Sequence, residues 1–171
     1  MLRNICIKDF KENIFELISK ETMLITAGTP ENCNTMTASW GFMGEMWAKE
    51  CVAAVVRPQR YTMSFIENNE YFTLCFMGTD EKAKSIHKVC GFTSGRDVNK
   101  IEKASLTPMG NEKYTYFDEA RLIIVCKKLY SHPLSKEGFI DASIVDGCYK
   151  ENDFHNLVIG SIERIYVKEN A

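Results

Sequence analysis

The sequence has little of what usually announces a chemistry. Its three histidines, His87, His132 and His155, lie far apart, and His87-Lys88-Val89-Cys90 has no second ligand pair to complete a zinc site. No Cys-x-x-Cys pair occurs: the seven cysteines, at 6, 33, 51, 75, 90, 126 and 148, are odd in number and scattered. That excludes a zinc ribbon and a disulfide framework, and it suits free thiols in a reducing compartment. Cys51, Cys75 and Cys126 sit inside apolar runs, where a thiol is inert. No Gly-x-Gly-x-x-Gly opens a helix, and neither a Walker A loop nor a Gly-x-Ser-x-Gly elbow is present, so resident dinucleotide, triphosphate and serine-hydrolase chemistries lack their signatures. No apolar run reaches the roughly 18 residues of a membrane helix. The stretch Met1 to Asp9 meets charge too early for a secretory signal. Lysine and arginine number 21 against 23 acidic residues, a net charge of -2, which argues against nucleic acid or an anionic membrane as partner. The expectation is a soluble, cytoplasmic protein.

The 171 residues, 45% hydrophobic and 26% charged, fit one domain spanning 1–171. Neither repeats nor linkers interrupt it. Phe10, Ile14, Leu17 and Ile18 recur at helical spacing behind Asp9 and Glu12, which predicts an opening helix. A strand follows at Met23–Ala27, then the turn formers Gly28 to Asn32, then a polar strand from Asn34 to Gly41. Cys51–Val56, Tyr71–Met77 and Leu122–Cys126 are apolar at nearly every position, the mark of strands covered on both faces. Short helices are expected at 62–69 and 80–88, the second capped by Thr79 or Asp80, and a long strand at 155–167 that Gly160 bends. Strands dominate, and the predicted architecture is mainly β, a closed antiparallel sheet with peripheral helices.

Three polar clusters stand against this apolar background: Asn34 to Gly41, then Arg57-Pro58-Gln59-Arg60-Tyr61-Thr62, then Thr93 to Lys100. A hairpin of 36–47 with 51–56, turning at Ala48-Lys49, would set Trp40 across from Arg57 and Thr37 across from Arg60. The first two clusters would then meet at its open end. Arg57, Arg60 and Lys100 supply positive charge there, and Thr35, Thr37, Ser39 and Thr62 supply donors suited to a phosphate monoester. Thr62 opens a helix whose N-terminus favours an anion, and Trp40 offers a flat wall. Taken singly, each feature has an ordinary role: solvated arginines at a strand end, a core tryptophan, a turn at Ser94-Gly95-Arg96-Asp97. Together they point to a ligand with a phosphate, a polar middle and a flat ring, such as flavin mononucleotide.

The same residues carry a resemblance. Asn34-Thr35-Met36-Thr37-Ala38-Ser39-Trp40-Gly41, Arg57-Pro58-Gln59-Arg60-Tyr61-Thr62 and Ser94-Gly95-Arg96-Asp97 with Lys100, in this order, resemble the flavin reductase-like proteins from about residue 10 onward. That family comprises FMN-binding split β-barrels, among them flavoredoxins and NAD(P)H:FMN oxidoreductases. The resemblance implies a Greek-key-like split barrel and a homodimer with FMN in a groove near the subunit interface. It implies that Asn34, Thr35, Met36, Thr37, Ala38, Ser39 and Trp40 line the ring and ribityl chain, with backbone amides of 37–39 as donors to it. Arg57, Arg60, Tyr61 and Thr62 would hold the phosphate, helped by Ser94, Arg96 and Lys100, and His155 would lie near the flavin. NAD(P)H would dock transiently over the exposed flavin face. The leading expectation is therefore an FMN-dependent oxidoreductase moving electrons from reduced nicotinamide to flavin or another acceptor. A flavoredoxin-like carrier with tightly bound FMN and a protein electron donor is the alternative, and a barrel that binds haem or nothing is a third.

Overall fold

The computed structural model describes residues 1–169. Its centre is a single antiparallel sheet with strand order β3-β2-β6-β9-β10-β5-β4. The strands are β1 (Leu2–Ile5), β2 (Met23–Thr29), β3 (Asn32–Ala38), β4 (Gly41–Met46), β5 (Lys49–Val56), β6 (Tyr71–Phe76), β9 (Leu122–Pro133) and β10 (Asn156–Lys168). The short β7 (Pro108–Gly110) and β8 (Thr115–Phe117) form a separate ribbon. Helices lie at the periphery: α1 (Ile14–Glu16), continued by a π-helical turn at Leu17–Glu21, α2 (Tyr61–Asn68), α3 (Glu81–Phe92), α4 (Lys100–Lys103) and α5 (Ala142–Cys148).

The continuous apolar runs now have their physical reason. Alternate side chains of a strand point to opposite faces. Leu122, Ile124 and Cys126 of β9 join Phe72, Leu74 and Phe76 of β6 and Val52, Ala54 and Val56 of β5 in the main core. Ile123 and Val125, pointing the other way, pack with Cys75, with Ala83, Ile86 and Cys90 of α3, and with Phe117 of β8. Both faces of the central strands are therefore dry, and each large side chain so buried contributes about 1.5–3 kcal/mol. The thirteen-residue β10 holds the two parts together. One edge pairs with β9 throughout, while the other takes β5 along 156–161 and β1 along 165–168. Its register slips between Ile159 and Gly160, where a Cβ would lie 2.7 Å from the Phe72 ring, so the bend requires glycine.

Several expectations need correction. The ladder is open rather than closed: β3 and β4, consecutive in sequence, are its two ends. The predicted continuous strand 36–47 therefore breaks at Ser39–Trp40, because its first half pairs with β2 and its second with β5. The β4–β5 turn falls at Trp47–Ala48, both in the left-handed region (φ 58° and 54°), as a two-residue hairpin turn demands. This moves the register, so Gly41 faces Ala54, Thr37 faces Leu24 in β2, and neither Trp40–Arg57 nor Thr37–Arg60 is a ladder pair. The opening helix starts later, with Asn13 rather than Asp9 accepting the first amides. Asp80 caps α3 as expected, and α3 runs on to Phe92.

Candidate functional site

The three polar clusters converge although the expected hairpin pairing does not form. β3 delivers Met36 to Ala38, the end of β5 delivers Arg57, the start of α2 delivers Arg60 to Thr62, and the segment after α3 delivers Thr93 to Gly95. Two adjoining cavities result, one of about 430 Å³ and one of about 200 Å³, which share Met36, Arg57 and Arg60 and so form one groove.

The larger cavity is built for negative charge. No side chain caps the N-terminus of α2, so its first amides are free to meet a ligand. Thr62, buried beside them, accepts a hydrogen bond of 2.7 Å from Asn34 Nδ2. Arg60 is held at one nitrogen only, donating to the Gly91 carbonyl at 2.8 Å. Lys100 is 4% exposed, and its ammonium reaches only the Cys90 and Thr93 carbonyls, at 3.4 and 3.3 Å. Burial holds the Lys100 pKa below its ordinary value and the Arg60 charge adds to this, although the nearby Cys90 opposes it. A buried ammonium with two long neutral contacts can still take a strong anionic partner. Arg57 is differently placed: it forms an ion pair with Asp153, donates to the Cys148 carbonyl at 2.9 Å and lies over the Tyr149 ring. Gln59 also donates to Asp153, at 2.7 Å. Gly95 passes so near Asn34 that a Cβ would fall 2.1 Å from its Oδ1, which explains why only glycine follows Ser94.

The smaller cavity is flatter and less charged, lined by Met36, Thr37, Ala38, Ser39, Trp40, Val55 and His155 beside the two arginines. Because β3 ends the ladder, half of its backbone donors and acceptors point away from β2. Thr37 Oγ1 donates to the His87 carbonyl at 2.9 Å, and the Trp40 ring stands 5.2 Å from the His155 ring. His155 is buried with Nδ1 2.9 Å from the Tyr149 hydroxyl. Burial, then the Arg57 charge, then Arg60 push its pKa down to about 4, against a smaller opposing pull from Asp153. The unfolded chain therefore takes up a proton near 6.5 while the folded chain resists until about 4, so stability falls as pH drops through that window. His87, also held low by burial, adds to the same slope. Urea unfolding at a series of pH values is expected to show this decline, and His155→Gln should flatten it.

Of the fifteen residues singled out from sequence, twelve line this groove and three, Asn34, Thr35 and Arg96, do not. Thr35 points into the core, donating to the Ile25 carbonyl and accepting from Thr26. Arg96 turns to the far side of Tyr61, over whose ring it lies at 4.8 Å, and donates to the Gln59 carbonyl. Asn34 lies one layer behind, holding Thr62. Sequence reasoning missed Val55, Phe92, Asp153 and Tyr149. Asp153 stands two residues before His155, but its pairing with an arginine 96 residues away leaves no local pattern. Among the described residues no group of three or more His, Cys, Asp or Glu could hold a metal, and Cys90, pushed up to about 11 by burial, is an unreactive core thiol.

A mainly β split barrel with a polar groove between its free end strand β3, the end of β5 and the start of α2 is the class of protein that this fold defines. The chain belongs to the flavin reductase-like family: the flavin reductase like domain matches residues 15–171. Among solved structures, a flavoredoxin from Methanosarcina acetivorans superposes with a TM-score of 0.68 at 16% identity, covering 94% of this chain and 75% of that one. An FMN-binding domain of a flavin reductases-like enzyme from Shewanella baltica OS155 gives 0.68 at 15% identity, over 98% and 77%. An FMN-binding protein from Thermus thermophilus gives 0.67 at 16% identity, over 98% and 83%. No curated protein matches the sequence.

Proposed function

We propose that this chain is an FMN-dependent oxidoreductase that moves electrons from reduced nicotinamide to flavin or another acceptor. One observation carries the reading: a single groove joins an anion-accepting end, made by the uncapped start of α2 with Arg60 and buried Lys100, to a flat end made by Met36, Trp40, Val55 and His155. Charge, shape and donor set fit a phosphate monoester tethered to a planar ring, and the solved relatives described as FMN-binding support that match. FMN, when bound, would supply the hydride and electron chemistry itself. Arg60, Lys100, Ser94, Thr62 and the α2 amides hold the phosphate. Backbone groups on the free edge of β3, around Thr37 to Ser39, meet the polar rim of the ring, and Trp40 and Val55 wall it. Trp40, 46% exposed, leaves the groove open enough for NAD(P)H to dock transiently.

The ladder's end strand β4 exposes Phe42 and Met46, with Trp47 at its turn, an apolar edge that suits a homodimer. The seven free thiols suit a cytoplasmic setting, and no helix among the described residues is long and apolar enough to cross a membrane. A flavoredoxin-like carrier is the second reading, favoured by the flavoredoxin fold match and by the apolar rim beside Trp40, where a protein electron donor would sit. The test is a visible spectrum of purified protein before and after FMN, followed by gel filtration. Retained flavin bands with NAD(P)H oxidation establish the enzyme, and retained bands without oxidation establish the carrier. A colourless protein that FMN does not perturb ends both.

A further inference from the structure

The loop that returns from β9 to β10 ends in a second polar device at the flat end of the groove. Tyr149 is 4% exposed and packed on every side: it stacks on Phe154 (4.7 Å between centroids), meets Phe139 at 5.5 Å and lies beneath the Arg57 guanidinium, also at 5.5 Å. Its hydroxyl stands 2.9 Å from His155 Nδ1. The imidazole itself sits between Tyr149, met edge-on at 5.5 Å, and Trp40, tilted against it at 5.2 Å. Nε2, on the other side of that ring, has no protein partner among the described residues, and the side chain lines the smaller cavity.

We propose that Tyr149 is a positioning residue that fixes His155 in the Nε2–H tautomer, so that a neutral imidazole presents one hydrogen-bond donor to an acceptor atom on the rim of the bound ring. The proposal rests on the flavin reading above. The proton count follows from the geometry. A neutral imidazole has one donor and one acceptor nitrogen, and the bond made by one decides the state of the other. The Tyr149 hydroxyl is buried and has no hydrogen-bond partner among the described residues except His155 Nδ1, so its proton is satisfied only by donating to that nitrogen. Nδ1 is then the acceptor and Nε2 carries the hydrogen. Tautomer rather than charge is the variable here because the charged groups around the ring oppose an imidazolium. Arg57 from β5 and Arg60 from the start of α2 both disfavour it, and only Asp153, itself paired with Arg57, favours it. A neutral donor avoids a third positive charge beside those arginines.

Tyr149→Phe keeps the aromatic packing and removes only the hydroxyl. Long-range proton–nitrogen NMR of the flavin-free, full-length protein at neutral pH is expected to show His155 as a single Nε2–H tautomer, and a mixture in Tyr149→Phe. The variant should weaken FMN and riboflavin equally, by about three- to ten-fold, since the loss is one neutral hydrogen bond far from the phosphate. In a His155→Gln background Tyr149→Phe should add nothing, because the two side chains act as one unit. An Nδ1–H tautomer in the native protein overturns the proposal without reference to any ligand. So does a Tyr149→Phe loss that persists undiminished in the His155→Gln background, which would mark Tyr149 as packing alone. A native protein that binds neither flavin overturns the flavin reading and with it the donor's role, an outcome distinct from flavin binding that Tyr149→Phe leaves unchanged, which overturns this proposal only.

Discussion

Replacing Arg60 with alanine is expected to weaken FMN binding about ten- to a hundred-fold while changing riboflavin binding less than about three-fold. The asymmetry follows from how the three cations of the groove are engaged. Arg57 already has a carboxylate, Asp153, and a carbonyl, Cys148, so little of its charge is left for a ligand. Arg60 is tied only to the Gly91 carbonyl, which orients the guanidinium without neutralising it. Lys100 is likewise bound only by carbonyls. A charge-assisted bond to phosphate contributes about 1.5–3 kcal/mol, and riboflavin, lacking the phosphate, cannot draw on it. Lys100→Met, which preserves the apolar stem, should show the same selective loss. Fluorescence titration with both ligands measures the ratio, and added salt should narrow the difference between them, because part of it is electrostatic. Equal losses for FMN and riboflavin would move the phosphate away from α2 and refute the groove's assigned polarity.

Much of this groove was legible because its signals are local. Arg57 to Thr62 runs from a two-faced strand into a helix start within six residues, and that succession alone places cations beside free amides. The two-faced strands were equally plain, since an apolar residue at each of five successive positions in Leu122–Cys126 leaves no solvent face. What could not be read was pairing between distant segments. The apparent strand 36–47 carries no proline or charge at Ser39–Trp40 to mark its break, because the break is imposed by which strands lie beside each half. Register failed for a related reason: the turn falls at Trp47–Ala48, both at positive φ, where the usual Asn or Gly signal is missing. Thr35 and Thr37 look alike in sequence and, two positions apart in β3, share a face of the strand; what separates them is what each meets there, Thr26 and Ile25 of β2 for Thr35 and His87 of α3 for Thr37. The helix packed against the end of β3, not the strand's own pattern, decides that Thr37 lines the groove while Thr35 bonds into the core. Tyr149 and Asp153 belong to a segment whose sequence shows no periodicity, and their roles exist only through Arg57 and His155.

Arg121→Met is expected to cost about 2–4 kcal/mol of stability, somewhat below a fully buried pair because the arginine is partly exposed. In a chain of this size that lowers the melting temperature by roughly 5–15 °C. Arg121 stands just before β9 and grips two carboxylates at once, Glu12 at 2.9 Å and Glu21 at 2.5 Å. Glu21 is 8% exposed and accepts from the Gly78 amide, so it fixes the turn that leads into the Asp80 cap of α3. Removing the guanidinium strands that carboxylate in a dry setting. Adding Glu21→Gln should recover more than half of the loss, since a neutral amide keeps the bond to Gly78 and no longer needs a counterion. The consequence for the groove is indirect. α3 supplies the Gly91 and Cys90 carbonyls that orient Arg60 and Lys100, but Arg121 itself borders neither cavity. The folded variant should therefore keep the native ratio of FMN to riboflavin affinity while melting earlier. Calorimetry and titration on the same sample separate the two. A variant within about 1 kcal/mol of native stability would show that the two glutamates find water instead of strain. A changed affinity ratio would show that the α1–β9 anchor and the phosphate end are coupled through α3, which the distances described here do not require.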